Sequence, residues 1–300
     1  MRIALLLLGL VPLVGLAELG LHLHFSRRAP DVDAYAALAP ELLKLKQPGI
    51  PVVVAPRWAE PLVRQAAPAA FPIGELTRAD DSGFGRFIEV SLLGASAPEL
   101  AALPLREEKR VGAFALRVRD NPRFEPPKFD FVTAVDSGEV EVYSDVDGRR
   151  SNCPSVERRQ ASTGGLHGPV ARPQRRFECP QGRLVAVTLI EDEHYRPHRC
   201  VLVEPAVTGR VVLRFNSVPA SKRFVGFAGF SYFLGRDIAG EAAELRVSDG
   251  DREVGRAGVN PSRGWQRFEL PRGAAQGAVE VTVARASAEP TDLCFALEAR

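Results

Sequence analysis

What the sequence lacks narrows the function classes first. No G-x-S-x-G elbow is present, because "GASAP" and "GFSYF" both miss the spacing, and no G-D-S box follows the N-terminal segment. No glycine-rich phosphate loop appears. Of the five histidines, His22 and His24 lie in the apolar leader. A triad would have to draw on His167, His194 or His198, and nothing places a serine beside them. No catalytic residue, metal or cofactor is therefore assigned. Lysine is almost missing: Lys44, Lys46, Lys109, Lys128 and Lys222 leave 34 of the 39 basic residues as arginine. The net charge is only +2, and the arginines alternate with acids and apolar residues. That excludes the clustered cations of a nucleic-acid binder. Cysteine is absent from the first half, so no lipobox anchors the chain.

What is present begins with a greasy leader. "RIALLLLGLVPLVGLAELGLHLHFSRR" runs from Arg2 to Arg28 with Glu18 as its one acid. Its uninterrupted core, Ile3–Ala17, suits a signal peptide, and Gly15-Leu16-Ala17 offers a cleavage site before Glu18. Ile3–Phe25 as a whole is long enough to cross a bilayer, with Glu18 toward the outer interface. The stretch resembles the single N-terminal anchor, ending in an A-E-L-x-L-x-L pattern, of exported bacterial proteins that include membrane-tethered SGNH-type hydrolases. A retained anchor is expected, with cleavage as the alternative. Both put the remainder outside the cytosol, at the periplasmic or exterior face.

The four cysteines, Cys153, Cys179, Cys200 and Cys294, form an even set in an exported chain and predict two disulfides. Three connectivities are open. Cys153–Cys179 would enclose a polar, arginine-rich stretch, and Cys200–Cys294 would tie the last strand to an earlier one.

With 45% apolar residues, 300 positions are enough for two domains beyond the leader. Helical pieces broken at Pro40 are expected over 31–46, a buried strand at Ile50–Pro56, a helix from near Pro61, and strands at Phe84–Leu93 and in "VGAFALRVRD", where Phe114, Leu116 and Val118 share a face. Residues 1–28 are thus a signal or transmembrane helix, and 29–143 a small mixed α/β unit. Residues 144–181 are poor in large apolar side chains and rich in turn formers, so they are read as a loop or linker. From 182 to 300 the alternation is that of a β-sandwich: Val211/Leu213/Phe215, Val279/Val281/Val283 and Leu293/Phe295/Leu297 mark core faces, and Asp249-Gly250 a hairpin turn.

The order "AELRVSDGDREV … GWQRFELPRGAAQGAVEVTVARA … CFALEAR" resembles galactose-binding-like jelly-roll modules across about residues 205–300. In those, a hairpin with a D-G turn precedes a tryptophan strand and then a valine-rich strand. The resemblance implies an antiparallel sandwich of the carbohydrate-binding type. Its ligand loops vary too much to carry any residue over.

Two clusters invite chemistry. In "EDEHYRPHRC", His194, His198 and Cys200 would share parity on a strand, the arrangement a zinc site needs. Helical presentation fails at Pro197. A polar lead-in to a disulfide-bonded strand is the preferred reading. "SDVDGRRSN" sets Asp145 and Asp147 before Gly148, but it lacks a closing glutamate, so a turn is preferred to a calcium loop. Trp265 is a candidate sugar platform or a core-edge residue. Phe230 and Tyr232, in the glycine-dotted "FAGFSYF", are candidates of the same kind. The ligand-binding set read from sequence is therefore Trp265, Tyr232, Phe230, His194 and His198.

The expected function is a non-catalytic, membrane-tethered envelope protein whose sandwich binds glycan or another envelope protein. An enzyme acting on envelope polysaccharide is the alternative. So is an accessory subunit of a glycosylation or transport machine, which the intramembrane Glu18 would suit.

Overall fold

The structure, a computed structural model, describes residues 14–21, 30–159, 173–180, 183–192, 196–204, 208–230, 242–273, 276–286 and 292–300. Residues 14–21 are helical, and the rest of the expected leader lies outside the described residues. Among the described residues no helix is long and apolar enough to cross a membrane, so the expected transmembrane helix is not seen here.

Two compact units are present: residues up to Pro72 with Arg86–Asn121, and Ile73–Gly85 with Pro122–Arg300. The mixed unit therefore ends at 121 rather than 143. The small segment Ile73–Gly85, expected to belong to it, is part of the other unit.

In the mixed unit, Asp31 caps the helix Val32–Leu45 by accepting from the Ala34 N–H at 2.9 Å. Tyr35, Leu38 and Leu42 fall on its buried side. The helix runs unbroken through Pro40, against expectation. Pro40 removes the donor to the Ala36 carbonyl, but both residues are exposed, so water can serve that carbonyl. The sheet is ordered Val52–Ala55, Arg86–Leu92, Phe114–Asp120, Leu105–Val111, with only the first pair parallel. Phe87, Ile88, Val90 and Leu116 are buried in it, and because the consecutive Phe87 and Ile88 point to opposite faces, the strand Arg86–Leu92 is covered on both.

Glu89 is also fully buried there, without stranding its charge. Its carboxylate accepts from the Ala97 N–H (2.7 Å), the Ser96 hydroxyl (2.7 Å) and Arg119 Nε (2.8 Å). Arg119 also donates to the Leu103 carbonyl at 2.9 Å. Burial pushes the Glu89 pKa up, but these donors outweigh it and hold the group ionised. One ion pair thus pins the 93–104 loop onto the sheet.

The larger unit is a β-sandwich of antiparallel sheets. One sheet runs Gln266–Pro271, Arg223–Phe230, Leu293–Ala299, Pro197–Val203, Leu184–Glu191, Arg175–Glu178, Ser155–Glu157, with Phe129–Asp130 also paired to Leu293–Ala299. The other runs Arg252–Val259, Ala243–Asp249, Gly277–Arg285, Arg210–Val218, Glu141–Val146, Arg149–Asn152. Leu213, Phe215, Val281 and Val283 from the second sheet share one core with Val201, Phe224, Phe295 and Leu297 from the first. The expected faces are the ones buried. Gly226 makes room for its cross-strand partner Phe268, because a Cβ there would lie 2.1 Å from the ring.

The stretch 144–181 is not a linker. Its described parts form paired strands that close one side of the sandwich. Arg149–Asn152 is the last strand of one sheet and Ser155–Glu157 the last of the other, so the chain changes sheets at Cys153. Cys153 is bonded to Cys179, beside the strand Arg175–Glu178. Cys200 and Cys294 are bonded across adjacent strands, 94 residues apart in sequence. Among the described residues no cysteine is free. Asp147 and Gly148 both have positive φ (52° and 76°) and form the two-residue hairpin turn expected there in preference to a calcium loop.

Candidate functional site

The residues singled out in sequence divide three ways. His194 and Tyr232 lie outside the described residues. Phe230 is buried in the common core opposite Leu293 and is a packing residue. His198 and Trp265 are brought together on the outer side of the first sheet. Their rings stack with centroids 4.4 Å apart and planes 14° apart. Gly229 permits the approach, since a Cβ there would stand 2.9 Å from the indole Cε3. One face of Trp265 is therefore taken by imidazole rather than open to a sugar ring.

His198 is only 7% exposed. A carboxylate can only accept, so Nε2–H donates to Asp192 Oδ2 at 3.0 Å and the neutral ring leaves Nδ1 as an acceptor. Asp192 also receives the Arg196 N–H (3.0 Å) and Nε (2.9 Å). Burial drives the His198 pKa down, Asp192 opposes it, and Arg196 and Arg78 add to the lowering. His198 Nδ1 and Trp265 Nε1 are both buried without a hydrogen-bond partner. No group of three or more metal-ligating side chains occurs among the described residues, and Cys200 is committed to its disulfide. The zinc arrangement is not formed by His198 and Cys200.

A second site was not visible in sequence. A pocket of 350 Å³ lies where the segment Ile73–Gly85 packs on the first sheet, and Asp80, Phe84, Asp130, Arg199 and Glu298 are among its walls. Each polar wall is held by neighbours. Asp80 accepts from the Ser82 N–H at 3.0 Å and from Arg300 Nη2 at 3.0 Å. Arg300 Nε donates to Glu298 Oε2 at 2.8 Å. Asp130 caps the helix Phe131–Ser137 through the Val132 N–H at 2.9 Å. Arg199 donates to Asp136 at 2.6 Å. The two carboxylates on Arg300 diverge. Burial raises Glu298 above the usual range, with Arg300 opposing. Burial also pushes on Asp80, but Ser82, Arg300 and Arg267 prevail and hold it low.

A third hollow of 310 Å³ lies on the outer face of the second sheet, between Asp145, Arg210, Glu244, Arg246 and Thr282. Its charges neutralise one another: Arg210 donates twice to Asp145 Oδ2 (3.0 and 2.8 Å), and Arg246 pairs with Glu244. No aromatic ring borders it.

No protein-family model matches the chain, and no curated protein matches it. The solved structures similar to it include carbohydrate-binding modules. One is the CBM51 of Clostridium perfringens GH95 in complex with methyl-galactose, 14% identical over 48% of this chain and 99% of that one, with a TM-score of 0.29. Another is TmCBM61 in complex with beta-1,4-galactotriose, 16% identical over 38% and 83%, TM-score 0.26. The K1 cleaved adhesin domain of Lys-gingipain from Porphyromonas gingivalis W83 is also similar, 12% identical over 35% and 77%, TM-score 0.25. The β-sandwich assignment itself rests on the two sheets and their shared core.

Proposed function

We propose that the sandwich unit binds a saccharide in the pocket walled by Asp80, Phe84, Asp130, Arg199 and Glu298. We further propose that the chain works outside the cytosol, tethered by its apolar leader. The carrying observation is the composition of that pocket. Fixed carboxylates and guanidinium groups from four separate segments converge on one concavity with the apolar surface of Phe84 and Val132. A saccharide presents ring hydroxyls to the first and C–H faces to the second, and its specificity comes from few, pre-placed polar groups. The hollow on the second sheet has the charges but no aromatic surface. Two disulfides fit an oxidising compartment.

The test is a glycan array probed with the wild-type chain and with Arg199→Ala. Losing one charged hydrogen-bonding group should weaken a specific hit by about tenfold or more. An array without any specific hit, or a hit indifferent to Arg199, counts against the reading.

One observation favours a second reading, an enzyme acting on polysaccharide. Two carboxylates on one arginine are pushed in opposite directions, Glu298 up and Asp80 down, as a protonated general acid beside an ionised base or nucleophile requires. Release of reducing ends by the wild type and not by Glu298→Gln would select it.

A further inference from the structure

The mixed unit exposes apolar side chains on two adjacent helices that its own core does not use. Helix Val32–Leu45 buries Tyr35, Leu38 and Leu42, yet Val32, Ala36, Pro40 and Leu43 line up on the exposed side at i, i+4, i+8 and i+11. Val32 is 82% and Leu43 43% exposed. The helix Glu60–Ala66 packs beside it and buries Val63. The turn before that helix and its first turn expose Trp58 (62%) and Leu62 (43%). A tryptophan open to this degree forgoes the largest apolar burial any side chain offers. Nearby charges are already paired: Arg57 with Glu99, Arg64 with Glu60, Lys44 with Glu41. The exposed residues are thus apolar, and the cations near them are paired.

We propose that these two helices rest on a lipid bilayer, with Trp58 and Leu62 seated at the level of the headgroups. The occupant follows from the chain itself and rests on the tether reading. The apolar run ends at Phe25, and Val32 follows seven residues on. Even fully extended, that connection spans at most roughly 25 Å. An anchored leader therefore holds the start of this helix at the membrane surface, where an amphipathic tryptophan is at home. Since paired charges border the patch, contact is driven by apolar insertion and should persist in uncharged phosphatidylcholine and in high salt.

The chain has two tryptophans, and exposed Trp58 can be changed without disturbing the core. Full-length wild type and Trp58→Phe are bound to phosphatidylcholine vesicles, with and without bromine on the acyl chains. The difference between the two emission spectra isolates Trp58. The expected result is flotation of both chains with the vesicles, and a Trp58 component that is blue-shifted and largely quenched by the brominated lipid. Flotation with a Trp58 component open to acrylamide and indifferent to bromolipid overturns the docking surface and leaves the tether standing. Failure to float overturns the tether, and the docking surface with it.

Discussion

The imidazole of His198 lies flat on the indole of Trp265, 4.4 Å away, while its Nε2–H is held by Asp192. The buried ring is easier to charge once the protein unfolds, because its folded pKa lies below the ordinary value of 6.5, chiefly through burial. Below that ordinary value the unfolded chain binds the extra proton and the folded chain resists it. Stability from this group is therefore complete above about pH 6.5 and falls as the pH drops toward the folded pKa. Denaturant melts at pH 7.5 and pH 5 should show a larger acid loss for wild type than for His198→Gln. Equal losses would mean that His198 titrates as if exposed.

Gly226 and Phe268 form a second obligatory pair. Gly226→Ala would drive a Cβ into the Phe268 ring, and the unfolding free energy should drop by about 1–3 kcal/mol, as for other overpacked cores. In a Phe268→Leu background the same change should cost clearly less. A double-mutant cycle that shows no coupling would contradict the packing described.

The Glu89–Arg119 pair predicts an asymmetric result. Glu89→Ala leaves Arg119 buried and unpaired, and should destabilise the mixed unit by about 3–5 kcal/mol. Glu89→Gln, which keeps an acceptor, should cost less. Hydrogen exchange should rise first in the 93–104 loop, whose Ala97 amide bonds Glu89.

The bond between Cys200 and Cys294 closes a long loop, with both residues fully buried. On the chain-entropy argument a closure of this length stabilises by about 4–5 kcal/mol. The Cys200→Ala, Cys294→Ala double variant should melt far below wild type. Native wild-type protein should take up no iodoacetamide at these positions.

Where burial imposes a period, the sequence announced the fold. Val211/Leu213/Phe215, Val279/Val281/Val283 and Leu293/Phe295/Leu297 each alternate because one face of each strand meets the core. The strands Leu105–Val111 and Arg149–Asn152 are exposed almost throughout. Neither has an apolar face to betray it, and the second has the polar, turn-rich composition of a loop. The burial of Glu89 has no sign in the sequence, since only the folded loop brings Ser96 and Ala97 to it. Of the candidate site, His198 and Trp265 stood out as scarce residue types, but nothing in their spacing foretold the stack. Asp80, Asp130 and Glu298 are commonplace acids far apart in sequence. Strand pairing sets Asp130 opposite Glu298, and the packing of Ile73–Gly85 against the last strand brings Asp80 to them.

Hydrogen exchange on the chain with and without its best array glycan tests saccharide binding most directly. Binding in the pocket predicts slowed exchange over residues 73–84 and 127–133, with the hollow between Asp145 and Glu244 unchanged. Slowing confined to that second-sheet face, or none anywhere at saturating glycan, would contradict the account.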